Sequence, residues 1–274
     1  MGREITLFCP FPFNIYYMKW TESEIEFLKE NYPSIGPKKI SISLNRTVDS
    51  VNLKLKSLNL RGKINKRNKS IDFELTDINH LYIMGILWAD GYVHETKNRI
   101  ELSINSDDFN EISWLFNTEY WSIYTRERDN RKSQTTVGIY NIDISNRFRV
   151  TYNYTDKSKL SPNFIKKIDK EILCYFIRGF FDGDGCFYVS ADNKQKQCYL
   201  AGSYDQNWDW IEELFNDIGV EYSIKRKVQN EKSKYSIVYI KKKSISTFGN
   251  YIYKDFLNDN IGLKRKYNKF LNCI

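Results

Sequence analysis

The chain has 274 residues, 41% hydrophobic and 28% charged, which excludes a disordered polypeptide and suffices for two or three compact units. Forty-two Lys and Arg against 34 Asp and Glu leave a net charge of +8, which favours a polyanionic partner. Two histidines (His80, His94) and five cysteines (Cys9, Cys174, Cys186, Cys198, Cys273) without a C-x-x-C pair exclude His-rich hydrolase sites, zinc ribbons and a disulfide framework.

Residues 1–18 are an N-terminal tail whose apolar run is interrupted by Pro10, Pro12 and Asn14, so neither a secretion signal nor a membrane span is expected. An intracellular protein with reduced thiols and no membrane partner follows. Residues 19–60 predict three short helices. Thr21-Glu22-Ser23-Glu24 is a capping box, and Asn31-Tyr32-Pro33 is expected to stop the first helix. Gly36-Pro37 opens the second, and Thr47 caps a third in which Val51, Leu55 and Leu58 form one apolar stripe. A tight turn before the last helix suggests a helix-turn-helix, and WTESEIEFLKENYP…SLNL resembles Myb/SANT-like modules. Ser50, Asn52, Lys54 and Lys56 would lie on the exposed face of the third helix, the last three contacting DNA. A basic linker over 61–75 contributes Lys63, Lys66 and Arg67 as expected phosphate contacts.

The rest of the chain is duplicated. YIMGILWADGY (82–92) matches FIRGFFDGDGC (176–186), with Asp90 and Asp184 in register 94 residues apart. EISWLFN (111–117) matches WIEELFN (210–216), SIYTRERDN (122–130) matches SIKRKVQN (223–230), and YNIDIS (140–145) is paired with YSIVYI (235–240). The expected boundaries are 76–155 for the first repeat, 156–169 for an inter-repeat linker and 170–274 for the second repeat. Each copy reads helix, two strands, helix, two strands, from an all-round apolar segment followed by alternation such as Ile100, Leu102 and Ile104. A four-stranded antiparallel sheet with helices on one face leaves the other polar. In the first copy that face would show Arg99, Glu101, Ser103, Asn105, Tyr124, Arg126 and Arg128. In the second it would show Gln195, Gln197, Tyr199, Lys225, Lys227 and Gln229. Arg, Gln and Asn pair with base edges, and a two-stranded ribbon fits the major groove.

Asp90 and Asp184 each end an apolar helix and precede a glycine, where a positive φ is expected. An acid at a helix C-terminus is electrostatically unfavourable, so its repetition asks for a reason. Two such ends brought together would repel unless protonated or bridged by hard divalent cations, which suits phosphodiester hydrolysis.

IMGILWADG (83–91) and IRGFFDGDG (177–185) resemble the LAGLIDADG motif of homing endonucleases, a likeness that spans residue 76 to about 270. The resemblance implies an α+β fold: two pseudo-symmetric αββαββα repeats forming a DNA-binding saddle, here with a small N-terminal three-helix domain. It implies Asp90 and Asp184 as metal ligands, assisted by the carbonyls of Ala89 and Gly183, and Gly85 and Gly179 as close-packing positions. A basic residue after the fourth strand of each repeat would assist catalysis, which places Arg147 and Lys242 there, with Lys241 and Lys243 as alternatives. Trp88 departs from the motif by replacing its first acid, kept as Asp182 in the second copy, and Arg178 is expected to pair with an acid or a phosphate. The implied activity is Mg²⁺-dependent, site-specific cleavage of double-stranded DNA, leaving short 3′ overhangs, by a monomer encoded in an intron, intein or other mobile element. Mn²⁺ or Ca²⁺ would substitute in binding. The alternative is a non-cleaving DNA-binding regulator, or a maturase whose partner is host intron RNA.

Overall fold

In the computed structural model, which describes residues 19–58, 60, 71–129, 131–230 and 233–274, two compact units cover 1–65 and 66–274. In the first, Thr21 opens α1 (Glu22–Ser43): its hydroxyl accepts from Glu24 N at 3.2 Å and the Glu24 carboxylate accepts from Thr21 N at 2.9 Å. The helical backbone runs through Asn31-Tyr32-Pro33, where a stop was expected, and breaks at Gly36. Proline forfeits a donor but keeps a helical φ, whereas Gly36 takes φ 73°, which turns the chain. After this kink α1 resumes, and α2 (Val48–Ser57) follows, with the Thr47 hydroxyl accepting from Ser50 N at 3.1 Å. Three helical segments thus surround a small core of Leu28, Ile40, Val51 and Leu55. Arg46 donates to both Glu24 oxygens, at 2.8 and 2.9 Å, and lies over the Trp20 ring at 4.2 Å. That guanidinium, with the Thr21 amide, holds the Glu24 carboxyl down to about 2.

The second unit repeats one pattern. Asp77 caps α3 (Ile78–Asp90) by accepting from Asn79 N and His80 N. Then come β1 (Gly91–Val93), β2 (Arg99–Asn105), α4 (Ser106–Ile112), β3 (Ser122–Arg128), β4 (Arg131–Tyr140) and α5 (Ile142–Asn146). The second copy runs α6 (Leu173–Asp184), β5 (Gly185–Val189), β6 (Lys196–Ser203), α7 (Asp209–Asp217), β7 (Tyr222–Asn230) and β8 (Ser233–Ile240). It closes with α8 (Ile245–Ile252), α9 (Phe256–Asp259) and α10 (Lys264–Cys273).

The antiparallel sheets have equivalent orders, β1-β2-β4-β3 and β5-β6-β8-β7. Gly91 pairs with Leu102 as Gly185 pairs with Leu200, and Ser122 with Gly138 as Ser223 with Tyr239. Ile139 opposite Ile100 therefore corresponds to Ile240 opposite Cys198, so Tyr235–Ile240 matches residues 134–139, not 140–145 as the sequence pairing had it. Apolar alternation repeats every two residues, and a pattern of period two slides by an even number without penalty.

Alternate strand residues (Ile100, Leu102, Val137 and Ile139; Cys198, Leu200, Val238 and Ile240) turn inward and join both repeats in one core around α3 and α6. Arg178, on α6, is fully buried. It donates to the carbonyls of Ile252 at 2.6 Å and Ile261 at 2.7 Å, to that of Lys254, and to Asp259 at 3.1 Å. Four partners satisfy the guanidinium and fasten residues 252–261 to α6, which answers why an arginine replaces a small motif residue.

Candidate active site

Helices α3 and α6 touch backbone to backbone. A β-carbon at Gly85 would lie 2.0 Å from the Phe176 carbonyl oxygen, and one at Gly179 would lie 2.2 Å from that of Tyr82. Only glycine fits this seam. The contact continues to the helix ends: a β-carbon at Gly183 would meet the Ala89 methyl at 2.3 Å and Asp90 Oδ2 at 3.1 Å. The Asp90 carboxylate therefore rests against the residue preceding Asp184, and the two acids share one site. The glycines that follow are extended, with φ −74° at Gly91 and −93° at Gly185, so the expected positive φ is not what selects them. Space does: a β-carbon would strike the Leu87 carbonyl at 2.4 Å or the Phe181 ring at 2.2 Å.

Burial raises the proton affinity of both carboxyls. Asp184 is pushed up to about 7 by burial first and by the Asp90 charge second, while Lys157 and Lys266 pull it down. Asp90 is raised by burial and lowered by the same two lysines, and it keeps an open side to solvent. Sequence reasoning missed both lysines. Lys157 Nζ donates to the carbonyls of Leu87 (3.3 Å), Ala89 (2.8 Å) and Gly91 (2.6 Å), the last turn of α3. Lys266 Nζ donates to Phe181 O (2.8 Å) and Gly185 O (2.7 Å), the equivalent carbonyls of α6. Each ammonium offsets the negative helix end that carries the aspartate. Burial draws Lys157 down to about 8, against the opposing pull of Asp184 and Asp90.

Asp182, the first acid of the second motif, faces away from this pair. Its carboxylate accepts from Tyr82 Oη and Leu263 N, both at 2.9 Å, and burial pushes it up to about 6 against the pull of Lys266. At the matching place Trp88 packs edge-on against Tyr154 and Trp210, so the first copy fills with an indole the volume the second uses for a polar tie.

Among the described residues no cluster of three His, Cys, Asp or Glu could hold a metal. The donors at the helix ends are carboxylate and carbonyl oxygens, the set a hard cation such as Mg²⁺ takes. The fit is sound for Asp90 and Asp184. The Ala89 carbonyl already accepts from Lys157. Beside Asp184 opens a cleft of about 420 Å³, lined by Trp88, Ala89, Lys157, Asp184, Ser203 and Gln206 among others.

Arg147 and Lys242 stand elsewhere. Arg147 is ion-paired with Asp72, ahead of the N-terminus of α3, the end opposite Asp90. Lys242 lines an outer cleft with Asn193, Lys196 and Lys243, and Lys243 is paired with Glu221. The misplaced register of β4 accounts for Arg147, whereas Lys242 does follow the end of β8 directly.

The polar sheet faces hold most of the expected DNA contacts. Arg99, Glu101, Ser103 and Asn105 alternate with buried residues along β2, and Tyr124 and Arg126 stand beside them on β3 through Thr136 and Gln134. Arg128 follows a register shift and pairs with Arg131. Gln197 and Tyr199 lie on the equivalent face of β6, with Lys225 and Lys227 on β7. Gln195 sits instead in the β5–β6 turn. The side chain of Gln229, and Lys63, Lys66 and Arg67, lie outside the described residues. In the N-terminal unit, inward Val51 and Leu55 set the phase of α2. Asp49, Leu53 (68% exposed) and Lys56 turn outward, while Asn52 and Lys54 are half-buried, with Lys54 Nζ 5.9 Å from the Trp20 ring.

Residues 171–253 match the family model described as a LAGLIDADG-like domain. No curated protein matches the chain in sequence. Among solved structures, the homing endonuclease I-WcaI bound to its DNA recognition sequence aligns with a TM-score of 0.52 at 16% identity, covering 75% of this chain and 90% of that one. The LAGLIDADG homing endonuclease I-GzeII in complex with its DNA target has a TM-score of 0.42 and 12% identity over 72% of this chain and 88% of its own. I-DmoI in complex with DNA and Mn has a TM-score of 0.44 and 12% identity over 66% and 98%. With two four-stranded sheets flanking one glycine-seamed helix pair, the chain has the two-repeat LAGLIDADG fold, and its residues 171–253, which bear Asp184, form a LAGLIDADG-like domain.

Proposed function

We propose that the chain is a site-specific, double-strand DNA endonuclease acting inside the cell as a monomer. It would hydrolyse phosphodiester bonds with Mg²⁺ held by Asp90 and Asp184, leave short 3′ overhangs, and serve the homing of an intron, intein or other mobile element. One observation carries this reading: two acids on abutting helix ends, each end capped by its own lysine. A bound divalent cation supplies Lewis-acid charge at the scissile phosphate. The chain's own groups do the rest. Asp90 and Asp184 provide the anionic oxygens, and Lys157 and Lys266 oppose the upward push of burial on both carboxyls, leaving Asp184, at about 7, partly ionised near neutral pH. The sheets supply a polar, basic surface for the duplex. The N-terminal unit, read as a helix-turn-helix, and the basic linker would extend the contacted site.

The test uses a supercoiled plasmid carrying the uninterrupted genomic sequence at the chain's own insertion site, incubated with purified protein plus Mg²⁺ or a chelator. Linearisation with Mg²⁺ alone, abolished in Asp90→Asn and in Asp184→Asn while gel-shift binding persists, is the expected result. Binding without metal-dependent nicking would assign the chain to non-cleaving regulators. Linearisation by both single variants would remove the two aspartates from the active site.

A further inference from the structure

The matching registers allow the two polar faces to be compared position by position, and their chemistry differs. In one cross-strand row Ser103, Thr136 and Tyr124 of the first repeat stand where Ala201, Ile237 and Lys225 stand in the second. In the next, Asn105, Gln134 and Arg126 correspond to Ser203, Tyr235 and Lys227. On the other side of the first row, one step farther from the aspartates, Glu101 and Gly138 correspond to Tyr199 and Tyr239.

The first face is a set of oriented polar groups. Glu101 is held between His94 Nε2, at 2.8 Å, and Arg99, whose guanidinium lies 4.7 Å from the Tyr140 ring centre. Ser103 Oγ and Thr136 Oγ1 are 2.8 Å apart. Such groups discriminate donors from acceptors on base edges. On the second face the positions of Ser103 and Thr136 carry no hydrogen-bonding side chain. Tyr199 and Tyr239 lie 6.0 Å apart, and the ammonium groups of Lys225 and Lys227 sit 5.6 and 5.8 Å from the Tyr239 ring. Between this aromatic pair and Tyr235 lies a half-buried apolar step, Ala201 beside Ile237. An apolar side chain in the major groove has one base-specific feature to touch, the thymine 5-methyl group. Lysines reach phosphates without regard to sequence.

Resting on the endonuclease reading, we propose that the two repeats read their half-sites by different chemistry. The first sheet reads hydrogen-bonding base edges, and the second recognises thymine methyl groups through Ala201 and Ile237 while Lys225 and Lys227 hold the backbone. The half-site under the second sheet is consequently thymine-bearing at the positions facing that step.

The full-length chain is first used to select binders from a randomised duplex library in Ca²⁺, and gel-shift affinities are then measured on the selected duplex. Deoxyuridine replaces thymidine in one half-site at a time, which deletes the methyl groups alone. The expected result is a loss of about fourfold per contacted methyl in one half only. That loss should vanish in Ile237→Ala and persist in Thr136→Val. Lys225→Gln should weaken all duplexes alike and lower the salt slope by about one. A selected duplex whose deoxyuridine forms bind as tightly as the parent, or a methyl effect unchanged in Ile237→Ala, would overturn the inference while leaving the endonuclease reading intact. Failure to enrich any sequence, together with no metal-dependent cutting of the genomic site, would sink both.

Discussion

At Asp184 burial and the neighbouring Asp90 charge act in the same direction, and the two lysines oppose them. The folded carboxyl, at about 7, binds protons more tightly than in the unfolded chain, so the stability it contributes is present in acid and is lost as pH rises through 7. Without divalent cations, the unfolding midpoint is expected to fall between pH 5 and pH 8 by the equivalent of about 2 kcal/mol, after allowance for solvent screening. Asp184→Asn should flatten that slope in thermal melts, and Mg²⁺ should raise the wild-type midpoint more at pH 8 than at pH 5. A metal-free melt independent of pH over this range, in a protein that binds Mg²⁺, would contradict the electrostatic account. Lys157→Met removes three charge-assisted hydrogen bonds from the end of α3. It is expected to cost about 2 kcal/mol in urea titrations and to slow cleavage at least tenfold, whereas Lys242→Met should leave the rate within twofold. The aspartates were legible because they recur at one spacing. The lysines were not, because they lie 67 and 82 residues beyond their aspartates on unlike elements, a loop and a helix, so no repeat alignment pairs them.

The helix pair is the element on which the rest depends. Gly85→Ala or Gly179→Ala inserts a methyl where a carbonyl oxygen of the facing helix already stands. Since backbone cannot step aside as a side chain can, a loss of about 3 kcal/mol or more is expected in denaturant titrations, with reduced cutting even where the fold survives. Arg178→Met, which leaves the Ile252 and Ile261 carbonyls and Asp259 without their cation, should cost about 3–5 kcal/mol without touching the cleft at Asp184. Element types were readable from hydrophobic period: all-round apolar for α3 and α6, alternation for the strands. Register was not, since residues 134–139 and 140–145 both fit alternation against Tyr235–Ile240, and only hydrogen bonding between strands distinguishes them. The phase of α2 also misled, because Ser50, Asn52 and Lys54 are polar yet lie near the buried Val51–Leu55 stripe.

At the scale of the molecule, the second unit has its own continuous core, and a fragment starting at residue 66 is expected to unfold in one cooperative transition. On the proposed reading that fragment still cuts with Mg²⁺ but binds with a shallower dependence of affinity on salt than the full chain, since phosphate contacts upstream are gone. Equal slopes for both would show that residues 1–65 contact no DNA. Duplication was the most legible feature, because internal likeness needs no knowledge of packing to be seen. What it hid was divergence. In an assembly of two identical subunits every substitution appears twice, on both sides of the axis, and must be tolerable in both places. Here one covalent chain holds the two halves, and Trp88 and Asp182 became different while Gly85 and Gly179 stayed alike. Each glycine is hemmed in by the other helix, so neither half is free to vary there alone, whereas the sheets differ at matching positions and, on the proposed reading, would engage a target that is no palindrome.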